Sequence, residues 1–132
     1  MGQSLILETT FFVDFERESN RGVPGRSVAF LESHEDARLY TTFTVAGELA
    51  AGTTLGERSR WEEYLAPFYV LAFNADVSWE YGQAYRYLRA NGLLIGGNDL
   101  WIAATGIAYH MPIVTRNVQH YRRVPGLRVE AY

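Results

Sequence analysis

The chain contains no cysteine, which excludes disulfides, thiolate nucleophiles and cysteine-based zinc sites. That absence suits a reducing, cytoplasmic setting. Lysine is missing as well: all 12 basic residues are arginine. A nucleotide-binding P-loop, Schiff-base chemistry and a phospho-receiver domain each need a lysine, so all three are disfavoured. No apolar run approaches the roughly 18 residues of a membrane span. The opening Met1-Gly2-Gln3-Ser4 has neither the basic region nor the long apolar stretch of a signal peptide, so no export is expected. The three histidines, His34, His110 and His120, show no metal-ligand spacing. His120 alone lies near the edge on which the functional reading below converges.

Positive charge is scarce overall, with a net charge of −3, and it is unevenly placed. Residues 1–66 carry a net −5 and residues 67–132 a net +2. Bulk electrostatic binding of nucleic acid depends on many basic side chains and is therefore excluded, although a local arginine can still hold a phosphodiester. What remains is a 132-residue chain with 48% apolar residues, enough for one domain with a real core. A single domain over residues 1–132 is expected, since no repeat, linker or low-complexity segment interrupts it.

Periodicity supplies the elements. Leu5-Ile6-Leu7 reads as a short buried strand, followed by a helix capped by Thr9 or Thr10 and ending near Arg17. Residues 19–25 have the composition of a loop, and residues 27–34 that of a helix. Residues 39–42 predict a strand, 45–51 an alanine-rich helix and 57–65 another helix. Residues 68–73 read as the clearest buried strand, and 76–90 as the longest helix, stopped at Asn91-Gly92. A helix from Asp99 to about Tyr109, a strand at 112–115, a helical turn at 118–122 and a strand at 127–129 complete the series. Strands alternating with helices imply an α/β fold: a three-layer domain around a mainly parallel sheet of about five strands.

Glu8, Glu48 and Asp99 lie where a strand pattern has just ended or a helix is beginning, and Asn117 follows the last strong strand similarly. In an open α/β sheet, ligands bind outside the carboxyl ends of the strands. Carboxylates delivered there from distant positions can converge on a hard cation such as Mg2+ or Mn2+. Each residue also has a plain structural reading. Glu8 can simply end a strand in solvent, and most helix glutamates like Glu48 are solvated. Asp99 suits the first turn of any helix, while Asn98 and Asn117 are ordinary N-caps. Four such residues at one edge favour a site. Arg116, between Thr115 and Asn117, is the best phosphate contact. Trp61, Trp79, Trp101 and the nine tyrosines read as core and interface rather than base-stacking platforms.

The segments 5–14 (Leu-Ile-Leu-Glu-Thr-Thr-Phe-Phe-Val-Asp), 48–52 (Glu-Leu-Ala-Ala-Gly), 96–105 (Gly-Gly-Asn-Asp-Leu-Trp-Ile-Ala-Ala-Thr) and 112–117 (Pro-Ile-Val-Thr-Arg-Asn) together resemble the PIN-domain family. Within it they resemble the VapC-type toxins of bacterial toxin–antitoxin pairs, as does the ending at residues 121–127. The resemblance implies a PIN-like fold and a Mg2+- or Mn2+-dependent endoribonuclease that hydrolyses RNA with metal-activated water. It implies that Glu8, Glu48 and Asp99 are the acidic metal residues, with Asn117 in a fourth, more variable catalytic position. Thr9 would support the first acid, and Thr115 and Arg116 would serve as substrate or support residues. A small VapB-like antitoxin and a homodimer are also implied.

Two departures stand out. Glu8 occupies a position usually held by aspartate, and its extra methylene moves the carboxylate by on the order of 1 Å. His120 stands where similar toxins often have an acid. Two alternatives follow: a catalytically impaired PIN-like binding module, and a structure-specific DNA nuclease on the same fold.

Overall fold

The computed structural model describes residues 2–132. Five parallel strands form one sheet: β1 (Ser4–Leu7), β2 (Arg38–Thr42), β3 (Tyr69–Leu71), β4 (Ile113–Val114) and β5 (Val129–Glu130). Seven helices flank it: α1 (Thr9–Arg21), α2 (Arg26–Ser33), α3 (Phe43–Ala51), α4 (Arg58–Leu65), α5 (Ala75–Ala90), α6 (Gly97–Ala108) and α7 (Val118–Tyr121). The strand order is β3-β2-β1-β4-β5. From β1 the chain winds outward through β2 to β3, then crosses back to β4 and on to β5. Right-handed crossovers in opposite directions place their helices on opposite faces, and the direction reverses between β1 and β4. In sheets of this kind ligands bind beyond the carboxyl ends of the strands at such a reversal.

The central pairings are Ile6 with Ile113 and Leu7 with Val114 on one side of β1, and Leu5 with Leu39 on the other. Leu5, Ile6, Leu7, Ile113 and Val114 are fully buried, because a central parallel strand is covered on both faces. Phe11, Phe12, Val45, Leu100 and Ile102 close the core from the helices. Gly106 lets α6 press onto β4: a Cβ there would lie 2.9 Å from both Ile113 Cδ1 and Leu127 Cδ1.

Two elements differ most from the sequence reading. α1 continues past Arg17 to Arg21 and stops at Gly22, whose φ of 67° is left-handed. Ser19 and Asn20 look like loop residues, but Glu18 holds that turn in place. Its buried carboxylate accepts hydrogen bonds from the N–H groups of Gly25, Ser27 and Val28 and from the Ser27 hydroxyl. It thereby caps α2 from a different helix. The second difference is β3, which is shorter than residues 68–73 and largely open to solvent. Tyr69 is 63% exposed and Phe73 50%. The cause is position: β3 is an edge strand, so its apolar run is not enclosed as that of β1 is. Asn98, read as an N-cap, sits inside α6, whose cap is Gly96.

No helix among the described residues is long and apolar enough to cross a membrane.

Candidate active site

Glu8 follows β1 directly. Its extended backbone (φ −95°, ψ 171°) prolongs the strand by one residue before α1 begins, and its N–H donates to Val114 O at 3.1 Å. Glu8 is the N-cap residue of α1, yet its side chain makes no capping bond, because the carboxylate is engaged by Thr10 and Thr115. Oε1 accepts the Thr10 hydroxyl at 2.6 Å and the Thr115 hydroxyl at 2.5 Å. Those hydroxyls in turn accept backbone N–H groups, Thr10 from Arg116 at 3.0 Å and Thr115 from Asn117 at 2.9 Å. The first acid is thus tied to the end of the neighbouring strand, and it is only 2% exposed.

Glu48 arrives from α3. Thr42 caps this helix through its side chain, accepting the Val45 N–H at 3.1 Å. Because the helix begins at Phe43, Glu48 falls in its second turn rather than the first. Its Oε1 accepts the Thr9 hydroxyl at 2.9 Å. The two adjacent threonines therefore divide the work: Thr10 holds Glu8, and Thr9 holds Glu48. This corrects the expectation that Thr9 supports the first acid. Successive residues in a helical turn point in different directions, and here one faces β4 and the other faces α3.

Asp99 lies in the first turn of α6. Its Oδ1 accepts the Tyr121 hydroxyl at 3.1 Å, and its Oδ2 lies 2.9 Å from His120 Nε2. Both partners come from the turn α7, which directly follows the Thr115-Arg116-Asn117 edge. Asn117 is the exposed N-cap residue of α7, with no side-chain cap bond. Its amide group therefore has no capping role that would explain its presence. Arg116 points outward: its guanidinium pairs with Asp14 at 2.7 Å, and Asp14 also accepts the Tyr132 hydroxyl at 2.6 Å.

The three acids share one electrostatic neighbourhood. Burial pushes the Glu48 carboxyl above the usual carboxylate range, and the charges of Asp99 and Glu8 push it further. The Thr9 and Asn98 side chains oppose this only in part. The Tyr121 phenol is raised far above its ordinary value, first by burial and then by the fields of Glu8, Asp99 and Glu48. One buried phenol thus senses all three carboxylates, although they come from residues 8, 48 and 99. It remains a hydrogen-bond donor throughout the physiological range.

Among the described residues, no three His, Asp or Glu side chains close together tightly enough to enclose an ion by themselves. The donor set instead suits a hard cation that retains much of its water shell and takes one or two carboxylates, as Mg2+ does. On that basis Glu8, Asp99 and Glu48 suit an ion that meets one or two of them directly and the rest through its water shell. A cavity of about 460 Å³ lies at the opposite, amino edge of the sheet, lined by Asp76, Trp79, Gly106, Met111 and Arg128.

Thr10 and Tyr121 also hydrogen-bond to the acids, although no sequence pattern marks them. Their only signal was adjacency, Thr10 to the Glu8-Thr9 pair and Tyr121 to His120.

Comparison with known proteins follows the same lines. Residues 5–127 match the sequence model of the PIN domain. Ribonuclease VapC2 of Rickettsia felis is 32% identical over 91 residues, spanning 65% of this chain and 68% of its own. Ribonuclease VapC of Rickettsia bellii is 37% identical over 62 residues, 47% of this chain and 46% of its own. Among solved structures, VapBC2 from Rickettsia felis bound to a DNA fragment from their promoter superimposes with a TM-score of 0.81 at 26% identity, covering 98% of this chain and 99% of that one. DNA-bound VapBC from Salmonella typhimurium has a TM-score of 0.81 at 19% identity, covering 99% and 98%, and shows likeness of fold.

Proposed function

The chain belongs to the PIN-domain family, and from that premise we propose that it is a metal-dependent endoribonuclease, the toxin of a VapBC-type toxin–antitoxin pair. The observation that carries this reading is the set of carboxylates gathered beyond the carboxyl edge of β1 and β4, where the adjacent Thr10 and Thr9 hold Glu8 and Glu48 and Tyr121 holds Asp99. Relatives named as ribonucleases and as members of VapBC complexes support the substrate and the partner.

Glu8, Asp99 and Glu48 would hold Mg2+ or Mn2+, with Asn117 as a further oxygen donor at the edge. The bound ion would lower the pKa of an attacking water and neutralise charge on the scissile phosphate and the leaving oxygen. The chain's own contribution is preorganisation. Thr10 and Thr115 fix Glu8 Oε1, Thr9 fixes Glu48 Oε1, and Tyr121 fixes Asp99 Oδ1. The burial and mutual repulsion that raise the proton affinity of Glu48 would be offset by the shared ion, which favours the ionised carboxylates. Arg116 stands beside the cleft as a phosphate contact once it exchanges Asp14 for RNA. An exposed edge rather than an enclosed pocket suits a polymeric substrate.

A small antitoxin would bind the toxin and block its cleft. The impaired-module alternative rests on Glu8 replacing aspartate, and the paired hydroxyls on Glu8 Oε1 weigh against it, because they position the longer side chain. Purified protein should cleave RNA when Mg2+ or Mn2+ is added and stop when chelator is added. Survival of that activity in Asp99→Asn and Glu48→Gln would refute the assignment. Flap DNA cut in preference to RNA would favour the DNA-nuclease alternative.

A further inference from the structure

We infer that His120 is a nitrogen ligand which this chain adds to the metal site, and that it biases the site toward transition-metal ions over Mg2+. This rests on the nuclease reading above, because it concerns the ion held by Asp99.

Geometry carries the inference. His120 Nε2 lies 2.9 Å from Asp99 Oδ2, while Tyr121 occupies the other oxygen, Oδ1. An octahedral shell with bonds of about 2.1 Å separates neighbouring ligands by about 3.0 Å. The Nε2–Oδ2 spacing is therefore the length of one edge of such a shell. A cation that binds Asp99 through Oδ2 comes within ligating reach of the imidazole once a small rotation turns Nε2 from its hydrogen bond with Oδ2 toward the ion. Tyr121 donates to Oδ1, so it orients the carboxylate without competing for Oδ2.

The state of the ring permits this. Its other nitrogen, Nδ1, makes no hydrogen bond to protein among the described residues and can carry the ring proton toward water. The Nε2–H that donates to Asp99 here gives way to a lone pair when the ring proton moves to Nδ1, as a metal ligand requires. The side chain is held at the site, with 23% of its surface exposed and its ring set edge-on to Tyr121 at 5.7 Å. It is not a freely solvated surface histidine.

Chemistry supplies the selectivity. Mg2+ prefers water and carboxylate oxygen, whereas imidazole nitrogen suits first-row transition ions. A neutral nitrogen in place of a fourth acid also lowers the site's negative charge. That weakens its hold on a hard, strongly hydrated ion more than on one that gains a nitrogen bond. The departure at residue 120 thus changes the kind of ion preferred rather than simply weakening the site.

The test uses the full chain with Mn2+ as a paramagnetic probe. Pulsed EPR of the Mn2+-loaded protein should show 14N modulation from a coordinated imidazole. The modulation should persist in His34→Ala and His110→Ala and vanish in His120→Ala and His120→Asp. In parallel calorimetry, His120→Ala should lower Ni2+ affinity by on the order of tenfold while Mg2+ affinity changes by less than about threefold. His120→Asp should shift preference toward Mg2+. Circular dichroism melts check that the variants remain folded. Mn2+ bound without 14N modulation would overturn the ligand assignment alone. Equal loss of both affinities in His120→Ala would do the same and leave His120 as a positioning residue for Asp99. Failure of the wild type to bind either ion would overturn the nuclease reading with it.

Discussion

Glu8 carries its carboxylate on one methylene more than aspartate, and two threonine hydroxyls meet that carboxylate at Oε1. Shortening the side chain withdraws it from both. Glu8→Asp should therefore leave RNA cleavage unchanged or reduced, and a large gain in rate would indicate that the natural site is impaired. Thr115→Val removes one of the two donors and should weaken metal binding by about 10–100-fold, the usual cost of losing an outer partner of a metal ligand. Calorimetric titration would measure it. Glu48 makes a prediction with a definite sign. Its folded-state pKa is raised by burial and by its acidic neighbours, so its charge opposes folding once the pH exceeds the ordinary carboxylate range. In metal-free protein, Glu48→Gln should raise Tm at pH 7, and the gap should close below about pH 4, where both forms are uncharged. Added Mg2+ should stabilise the wild type but not this variant.

At the scale of elements, the α1–α2 hairpin depends on Glu18. Burial alone would push its carboxyl up, but the Ser27 hydroxyl and the Val28, Gly25 and Ser27 N–H groups outweigh burial and hold it below the usual range. A lowered pKa contributes stability that is present above the unfolded value and is lost as the pH falls from there through the lower folded-state value. Glu18→Ala should cost about 1–2 kcal/mol at neutral pH, as loss of a helix cap does, and less in acid. Denaturant titration at both pH values would show it. The α6–β4 turn offers the opposite case. His110 has a φ of 57°, a left-handed conformation that favours glycine, and its side chain is exposed. His110→Gly should stabilise the protein by on the order of 1 kcal/mol, read as a rise in Tm.

These two turns also mark the limit of what the sequence discloses. The order and type of the elements follow from periodicity, because buried strands such as Leu5-Ile6-Leu7 and the amphipathic helices carry their signal locally. The end of α1 does not, since it depends on Glu18 reaching residues 25–28, which no local pattern records. The exposure of β3 likewise depends on strand order. At the site, the acids were legible from their places after strands and at helix starts. The division between Thr9 and Thr10, and the Tyr121 donor, depend on side-chain directions and long-range packing.

At the scale of the molecule, the edge strand β3 and the aromatic run beside it are open to solvent. Phe73 meets Phe43 and Trp101 at 5.3 Å, and Trp101 stacks on Tyr81 at 3.9 Å, leaving Phe73 half exposed. This edge suits the homodimer expected from the family resemblance. Phe73→Glu should shift the sedimentation profile from dimer to monomer, and a wild type that is monomeric throughout would remove this expectation. The central claim is that carboxylates from the end of β1, from α3 and from α6 form one metal-dependent ribonuclease site. Its most direct test is RNA cleavage by wild type and Asp99→Asn, side by side, with and without Mn2+ or Mg2+. Cleavage that requires the ion and falls in Asp99→Asn by more than the ~100-fold cost of losing an outer partner, at an undiminished Tm, is the predicted result. Cleavage that persists in the variant or in chelator would contradict the account.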